Sequence, residues 1–358
     1  MELMKMTNAT SKVRLNKTGA PLQGPPQKTT PLHLNLLDND KSNVRLAPDI
    51  EKQHVHAVYD TIADHWSHTR YRAWPRVAEF LERLDKYACV ADLGMGNGKN
   101  VIAGLRDCQK NVGFFLGTDI SGPLVVGAAA KIESLDFKGE RRKAKEEERA
   151  KVDNLRSSCK EAAQEQQAQA AVQGCSSEDE DHVDSPQLLD STADFAVADC
   201  VSLPVRDGVF DASICIAVLH HLSTVDRRVA VLRESLRVVK PGGFFLVYAW
   251  AQEQEETGCS RHVFETQDVL VKWHHKIPGL KKEDVDREQV LEKMLEKNSQ
   301  AATGVLDKEK GAIIYQRYCH VYREGELEAL FRDHLSDISI VEEVYLDTGN
   351  WCVRAKRI

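Results

Sequence analysis

The chain has 358 residues and a mass of 40.2 kDa, is 42% apolar and 29% charged, and so holds core material enough to exclude wholesale disorder. No 18-residue apolar run occurs, which excludes a spanning helix, and the net charge of −7 does not by itself point to nucleic acid. Nine scattered cysteines, an odd number without a CxxC pair, argue against a disulfide framework and against a zinc site built from this chain alone, so no metal is expected.

Residues 1–50 mix Pro, Asn, Thr and Lys without periodicity and read as a disordered N-terminal arm. The opening Met1-Glu2-Leu3-Met4-Lys5 lacks the apolar stretch of a secretory signal, which sets an expectation against export. From Glu51 the apolar positions Val55, Val58, Tyr59 and Ile62 recur at helical spacing, and Trp74-Pro75 opens a second helix running to about Leu84. The buried-strand run Ala88–Leu93 enters the turn Gly94-Met95-Gly96-Asn97-Gly98. A short helix follows, then a second apolar run from Val112 that ends at Asp119, then a helix over Gly122–Ala130.

Residues 131–193 break this rhythm. They form a polar, charged insertion with ten basic and fifteen acidic residues, predicted to be a solvated helix or disordered. Further strands are predicted at Phe195–Ala198, Asp211–Val218 and Phe244–Trp250, with a helix over Val225–Val239 closed by Pro241-Gly242-Gly243. Residues 281–310 read as a polar surface excursion. A helix over Glu324–His334 and two strand-like runs, Ile338–Leu346 and Trp351–Lys356, complete the pattern. Alternating strands and helices predict one α/β domain over 51–130 and 194–358, with a mostly parallel sheet and antiparallel final strands.

The chemistry concentrates at Asp92-Leu93-Gly94-Met95-Gly96-Asn97-Gly98. A strand feeding a glycine turn lets the backbone approach a ligand, as in dinucleotide sites, but here the third glycine comes one residue early. An acid two positions before the first glycine would repel a pyrophosphate. It suits a ligand with a cationic amino group and no phosphate, such as S-adenosylmethionine. Asp119, at the end of the next strand, is placed to accept both ribose hydroxyls, and Asp199 is placed to accept from an adenine amine. Each acid alone is more often a cap or turn residue, whereas three at successive strand ends point to a methyltransferase.

Longer stretches carry a resemblance: 55–67, Thr69-Arg70-Tyr71-Arg72-Ala73-Trp74-Pro75, Gly96-Asn97-Gly98-Lys99, 216–224 with Arg227-Arg228, 248–254, Gln267-Asp268-Val269 and Tyr322-Arg323-Glu324-Gly325-Glu326-Leu327. Together they span about 51–130, 194–275 and 312–357. On them the sequence resembles the eukaryotic tRNA methyltransferases that esterify 5-carboxymethyluridine at the wobble position, and the methyltransferase domain fused to an AlkB-type oxygenase. It departs from their pattern at Met95, Cys319 and Cys352 and in the insertion.

The resemblance implies a class I S-adenosylmethionine-dependent fold, Rossmann-like, with a seven-stranded sheet and helices on both faces. It implies cofactor contacts from Asp92, Gly94, Gly96, Asn97, Gly98, Asp119, Ile120, Asp199, Cys200, Ala217 and His220. His221, Arg70 and Tyr71 are the catalytic candidates, with His221 facing the substrate. Arg72, Trp250, His320, Tyr322 and Arg323 are the substrate-binding candidates, joined by Tyr248 as a surface for stacking a splayed base. Arg76, Arg227, Arg228 and the 354–357 run are expected to offer charge to RNA phosphates.

The implied partners are the tRNA anticodon loop and a small zinc-binding activator protein that pairs with the sheet edge at Phe195–Ala198, with zinc in the partner. No membrane is implied, and the expected location is the cytoplasm, with the nucleus as a second site. The same fold acting on a protein or small acid, or a silent RNA- or activator-binding adaptor, remain open alternatives. A nicotinamide dehydrogenase is disfavoured by the glycine spacing.

Overall fold

In the computed structural model the described residues are 27–32, 43–67, 72–108, 111–135, 192–254, 262–276, 287–298 and 302–358. The chain divides into two units, Met1–Ala129 with Ser191–Ile358, and Ala130–Asp190. Apart from its two ends, the expected insertion 131–193, with its acidic stretch at Ser176-Ser177, lies outside the described residues.

The first unit begins with a π-helical turn, Lys52–His56, that runs into α1 (Ala57–Ser67). Helix α2 (Pro75–Glu82) starts with proline at its first turn, where the missing N–H costs nothing. Then come β1 (Ala88–Leu93), α3 (Lys99–Asp107), β2 (Val112–Asp119) and α4 (Gly122–Glu133). Beyond the insertion lie β3 (Thr192–Val197), β4 (Phe210–Ile216), α5 (Val225–Arg237) and β5 (Val239–Trp250). Thr224 caps α5 by accepting the Arg227 N–H at 3.3 Å. The remaining elements are β6 (Asp268–His275), α6 (Arg287–Asn298), β7 (Val305–Asp307), β8 (Ala312–His320), α7 (Glu326–His334), β9 (Ser339–Asp347) and β10 (Asn350–Arg357).

Seven strands form one sheet in the order β9-β10-β5-β4-β1-β2-β3. The pairs from β5 through β3 are all parallel, and β10 is antiparallel to both β5 and β9. Only β10 therefore runs against the rest, so just one of the two final strands is reversed. This is the strand order of a class I methyltransferase fold. Phe245, Leu246, Val247, Tyr248 and Ala249 are all 0% exposed, so both faces of β5 are covered, as a parallel sheet requires. On one face Leu232 and Leu236 of α5 and Leu327 and Phe331 of α7 share a core with Phe245, Val247, Val353 and Ala355. Near the other end Val125 and Ala128 of α4 pack with Met95 and Phe195.

A second, antiparallel sheet is not predicted by the sequence pattern. Its order is β7-β8-β6, with the two-residue strand Thr30–Pro31 added to the free edge of β6. Two expectations change as a result. Part of the N-terminal arm is extended backbone paired to this sheet. Most of the described part of 281–310 is also folded: Leu291 of α6 is 1% exposed and packs with Val58, Ile62, Ile313 and Tyr315. In both cases partners distant in sequence supply the burial that local composition does not advertise.

One buried ion pair joins the N-terminal helical segment to the main sheet. Glu51, 1% exposed, accepts from the Ser223 N–H (2.6 Å), the Ser223 hydroxyl (2.7 Å) and Arg227 Nε (2.9 Å). Arg227 then reaches Asp199 Oδ2 at 3.3 Å. Because Glu51→Ala leaves a guanidinium buried without its main counter-ion, the variant should lose about 3–5 kcal/mol in urea unfolding.

Candidate functional site

Class I topology places ligands outside the carboxyl ends of the parallel strands. A cavity of about 700 Å³ opens there, lined from β1, β2, β3, β4 and β5 and walled on its far side by the second sheet. A volume of this size holds a nucleoside cofactor together with part of a second ligand.

The turn after β1 is fixed by its glycines. Gly94 and Gly96 have φ of +69° and +59°, and a Cβ on Gly96 would stand 2.7 Å from the Trp66 ring. Any side chain there is strained in backbone and crowded in space. Asp119 ties this turn to β2: Oδ2 accepts the Gly96 N–H and Oδ1 the Ser121 N–H, each at 2.9 Å. Its second lone pairs are left for cavity ligands. Burial raises the Asp119 pKa to about 6, against the pull of the Ser121 and Gly96 N–H groups.

Gly94, Gly96, Asp119, Ile120, Asp199, Cys200, Ala217 and His220 all line the cavity. Asp199 accepts the Val201 N–H at 3.1 Å besides its pair with Arg227. Ala217, at φ +63°, holds a backbone that only glycine adopts freely, at the bend where β4 gives way to the 3-10 turn Leu219–His221. Three expected cofactor residues lie outside the lining. Asn97 donates to the Ser67 carbonyl at 3.1 Å, and Gly98 caps α3. Asp92 is fully buried, held at 3.4 Å by the side-chain amide of Asn100, which does face the cavity. Burial raises the Asp92 pKa to about 7, and its Oδ1 has no partner. Asp92 thus supports the floor through Asn100.

His220 and His221 stand on the 3-10 turn, one step past the strand end where the sequence places them. His221 Nδ1 lies 2.8 Å from the Tyr318 carbonyl, which can only accept, so Nδ1 carries the proton. Nε2 accordingly accepts from the Tyr59 hydroxyl at 2.9 Å. Burial, against the help of the Tyr318 carbonyl, lowers the His221 pKa to about 3. His221 is therefore a neutral ring committed at both nitrogens, which positions neighbours and takes up no proton at neutral pH. His220 accepts the Trp250 N–H at Nδ1 (3.4 Å) and stacks on that indole at 4.8 Å. The donor atoms of His220, His221 and Cys319 converge within 4.8 Å. Burial pushes the Cys319 thiol to about 12, and His221 has no free lone pair, so the trio fits a metal poorly.

Among the substrate candidates, Arg72 and Trp250 line the cavity. Arg70 and Tyr71 lie outside the described residues. His320, Tyr322 and Arg323 do not line it. His320 bridges Asp268 (3.0 Å) and Glu326 (2.7 Å), and the fully buried Tyr322 hydroxyl points at the Leu219 carbonyl. Arg323 is exposed and bonds Gln252 at 3.1 Å. All three brace the junction of β8 with α7. Tyr248 is likewise buried, bonded to Asp347 at 3.1 Å, and Trp74, stacked on it, faces the cavity instead.

Several arginines expected to meet RNA are occupied internally. Arg227 is paired as above, Arg228 donates to the Leu222 and Ser223 carbonyls, and Arg76 pairs with Glu343 at 2.7 Å. The cavity's distant wall consists instead of Tyr59, read from the sequence only as an apolar helix position, and of Lys272, Trp273, His274 and Arg317, which spacing did not single out. The only legible signal was the β-branched and aromatic richness of 312–318. The lining thus carries carboxylates at Glu51, Asp119 and Asp199, the first and last paired with Arg227, while Lys272, Trp273 and Arg317 of the second sheet face them beside Trp250 at the end of β5.

Comparison with known proteins agrees with this layout. The model of a family described as "Methyltransferase domain" matches residues 160–247. A tRNA (carboxymethyluridine(34)-5-O)-methyltransferase of Xenopus tropicalis is 30% identical over 87% of this chain and 42% of its own length. One from Arabidopsis thaliana is 37% identical over 65% and 39%. One from Schizosaccharomyces pombe is 26% identical over 86% of this chain and 98% of its own. Over most of its length the chain is similar to these methyltransferases. It spans well under half the length of the first two relatives.

The lining suits S-adenosylmethionine, the cofactor of such methyltransferases: Asp119 and Asp199 offer acceptors to hydroxyl and amine groups, and an acidic floor welcomes a cation but repels a pyrophosphate. Ionised Asp119 is the accepting form. Affinity for S-adenosylhomocysteine should therefore be level above pH 7 and fall as pH drops through about 6, and Asp119→Asn should abolish that dependence while weakening binding at least ten-fold. Calorimetric titration from pH 5 to 8 checks both. Because the folded pKa values of Asp92 and Asp119 are raised, ligand-free stability from these two groups is greatest at low pH and declines as pH rises from about 4 through 7.

Proposed function

We propose that this protein transfers a methyl group from S-adenosylmethionine to the carboxylate of 5-carboxymethyluridine at the wobble position of tRNA, forming the methyl ester. The divided cavity carries the reading: carboxylates on the sheet rim for a cationic nucleoside cofactor, and cations with aromatic rings opposite for an anionic base. The relatives' activity, printed in their names, fits the same division.

The chemistry asks little proton handling of the protein. A carboxymethyl group has a pKa near 4–5 and is about fully ionised at neutral pH, so no general base is required. When bound, the cofactor supplies an electrophilic methyl on a sulfonium. The chain's own residues align the partners and exclude water. Asp119 and Asp199 hold the nucleoside end, the glycine turn gives close approach, and the neutral pair His220 and His221 lines the space between without competing for the methyl by charge. Trp250 and Trp273 offer flat surfaces to a base turned out of its loop.

A small zinc-binding activator, forming a heterodimer with this chain, is part of the proposal. Among the described residues strand β3 ends the sheet with an unpaired edge, and Val197 on it and Val126 on α4 are 59% and 69% exposed. An edge of this kind is a ready template for strand addition. A cytoplasmic location, with the nucleus as a second, is proposed with it and accords with the free thiols at Cys89, Cys108, Cys200, Cys215, Cys319 and Cys352.

The test is nucleoside mass spectrometry. Cells lacking the protein should accumulate 5-carboxymethyluridine at position 34 and lose its methyl ester, and the wild-type gene, but not an Asp119→Asn copy, should restore it. Unchanged wobble nucleosides would overturn the reading.

A further inference from the structure

Arg317 is a buried cation that the fold leaves uncompensated. It is 4% exposed, faces the cavity from β8, and has no carboxylate within ion-pair distance among the described residues. Among the same residues its Nε has no hydrogen-bond partner, and Nη1 donates to the Tyr59 hydroxyl at 3.2 Å. The guanidinium carbon sits 5.0 Å from the Trp273 ring and 5.8 Å from that of Trp250. The other buried arginines differ: Arg227 is closed off by Glu51, Asp199 and the Val44 carbonyl, and Arg228 by two carbonyls. An unpaired charge in such a place costs several kcal/mol, roughly, unless a ligand supplies the counter-ion. A second donor lies on the same wall, since the buried Nε1 of Trp273, also a lining residue, has no partner among the described residues.

We propose that Arg317 is the receptor for the carboxylate of the substrate; this rests on the function proposed above and names the residue that selects its acceptor group. The Tyr59 contact holds the guanidinium in place: the Tyr59 hydroxyl accepts a hydrogen bond from Nη1 and donates one to His221 Nε2, while His221 Nδ1–H donates to the Tyr318 carbonyl. This relay leaves the buried Nε–H and the remaining guanidinium N–H groups as donors for an incoming carboxylate. Holding one carboxylate oxygen leaves the other free to attack. As the methyl arrives the anion becomes a neutral ester, so Arg317 binds substrate better than product. Its contribution therefore lies in binding and choice of acceptor more than in turnover.

An anion at this position could come from the carboxymethyl group or from a backbone phosphate. The indole walls and deep burial favour the group carried by an extruded base. Anticodon stem-loops bearing 5-carboxymethyluridine or the neutral 5-carbamoylmethyluridine at position 34 separate the two, since both carry the same phosphates. With the full chain and its activator, and S-adenosylhomocysteine present, fluorescence anisotropy should show at least ten-fold tighter binding of the carboxylate loop by wild type. Arg317→Met should bind both loops equally, at the wild-type level for the neutral one, with S-adenosylhomocysteine affinity unchanged. If Arg317→Met loses cofactor binding, Arg317→Lys makes the same comparison, with a reduced preference expected.

A variant that keeps the full preference overturns the assignment. So does one that weakens both loops equally, which would mark a phosphate contact. Failure of the underlying function looks different: wild type itself would show no preference and no methyl transfer, and the assignment would fall with it.

Discussion

The buried carboxylate of Glu51 holds the functional cavity together. It accepts from the Ser223 backbone and hydroxyl and from Arg227, which in turn grips Asp199 at the end of β3. One side chain thereby links the N-terminal helical segment, the turn after β4, helix α5 and the nucleoside-reading end of the sheet. Burying such an ion pair stabilises little by itself, because desolvation offsets attraction. Its value is positional. It sets α1, and with it Tyr59, against the rim where β8 brings Arg317 and Tyr318.

That placement allows one cavity to serve two ligands of opposite demand. The main sheet contributes carboxylates and a glycine turn, which favour a cationic nucleoside and repel phosphate. The second sheet contributes Trp273 with the cations Lys272 and Arg317, which favour a flat anionic base. The two histidines lie between, kept neutral by burial, and His221 is locked in one tautomer by a backbone carbonyl. With the proposed carboxylate acceptor, which is already ionised, such a site gains nothing from a base at that position and gains much from a fixed, uncharged spacer.

Reading the chain alone recovers the parallel part of the main sheet well. Its strands carry continuous apolar runs such as Ala88–Ala91 and Phe245–Val247, because both faces are buried and the pattern is local. The second sheet escapes such reading. Strands β6 and β8 carry Lys272, His274 and Arg317 among their apolar residues, and because the consecutive Lys272, Trp273 and His274 all line the cavity, the alternation by which half-buried strands are found is broken. The same effect hides α6, whose single well-buried Leu291 gives a weak stripe.

For the site, the residues Gly94, Gly96, Asp119 and Asp199 were determined by sequence itself, because a ligand-binding turn and the acids ending parallel strands are set by neighbours within a few positions. Which of the remaining polar residues meet the cavity was decided only by tertiary structure. Asp92, His320, Tyr322 and Arg323 carry the right chemistry but are spent on bracing the fold, while Arg317 and Trp273 acquire theirs by burial beside α1, more than two hundred residues away in the chain. The physical reason is that burial and pairing, which determine whether a charge is satisfied or waiting for a ligand, are properties of contacts between distant segments.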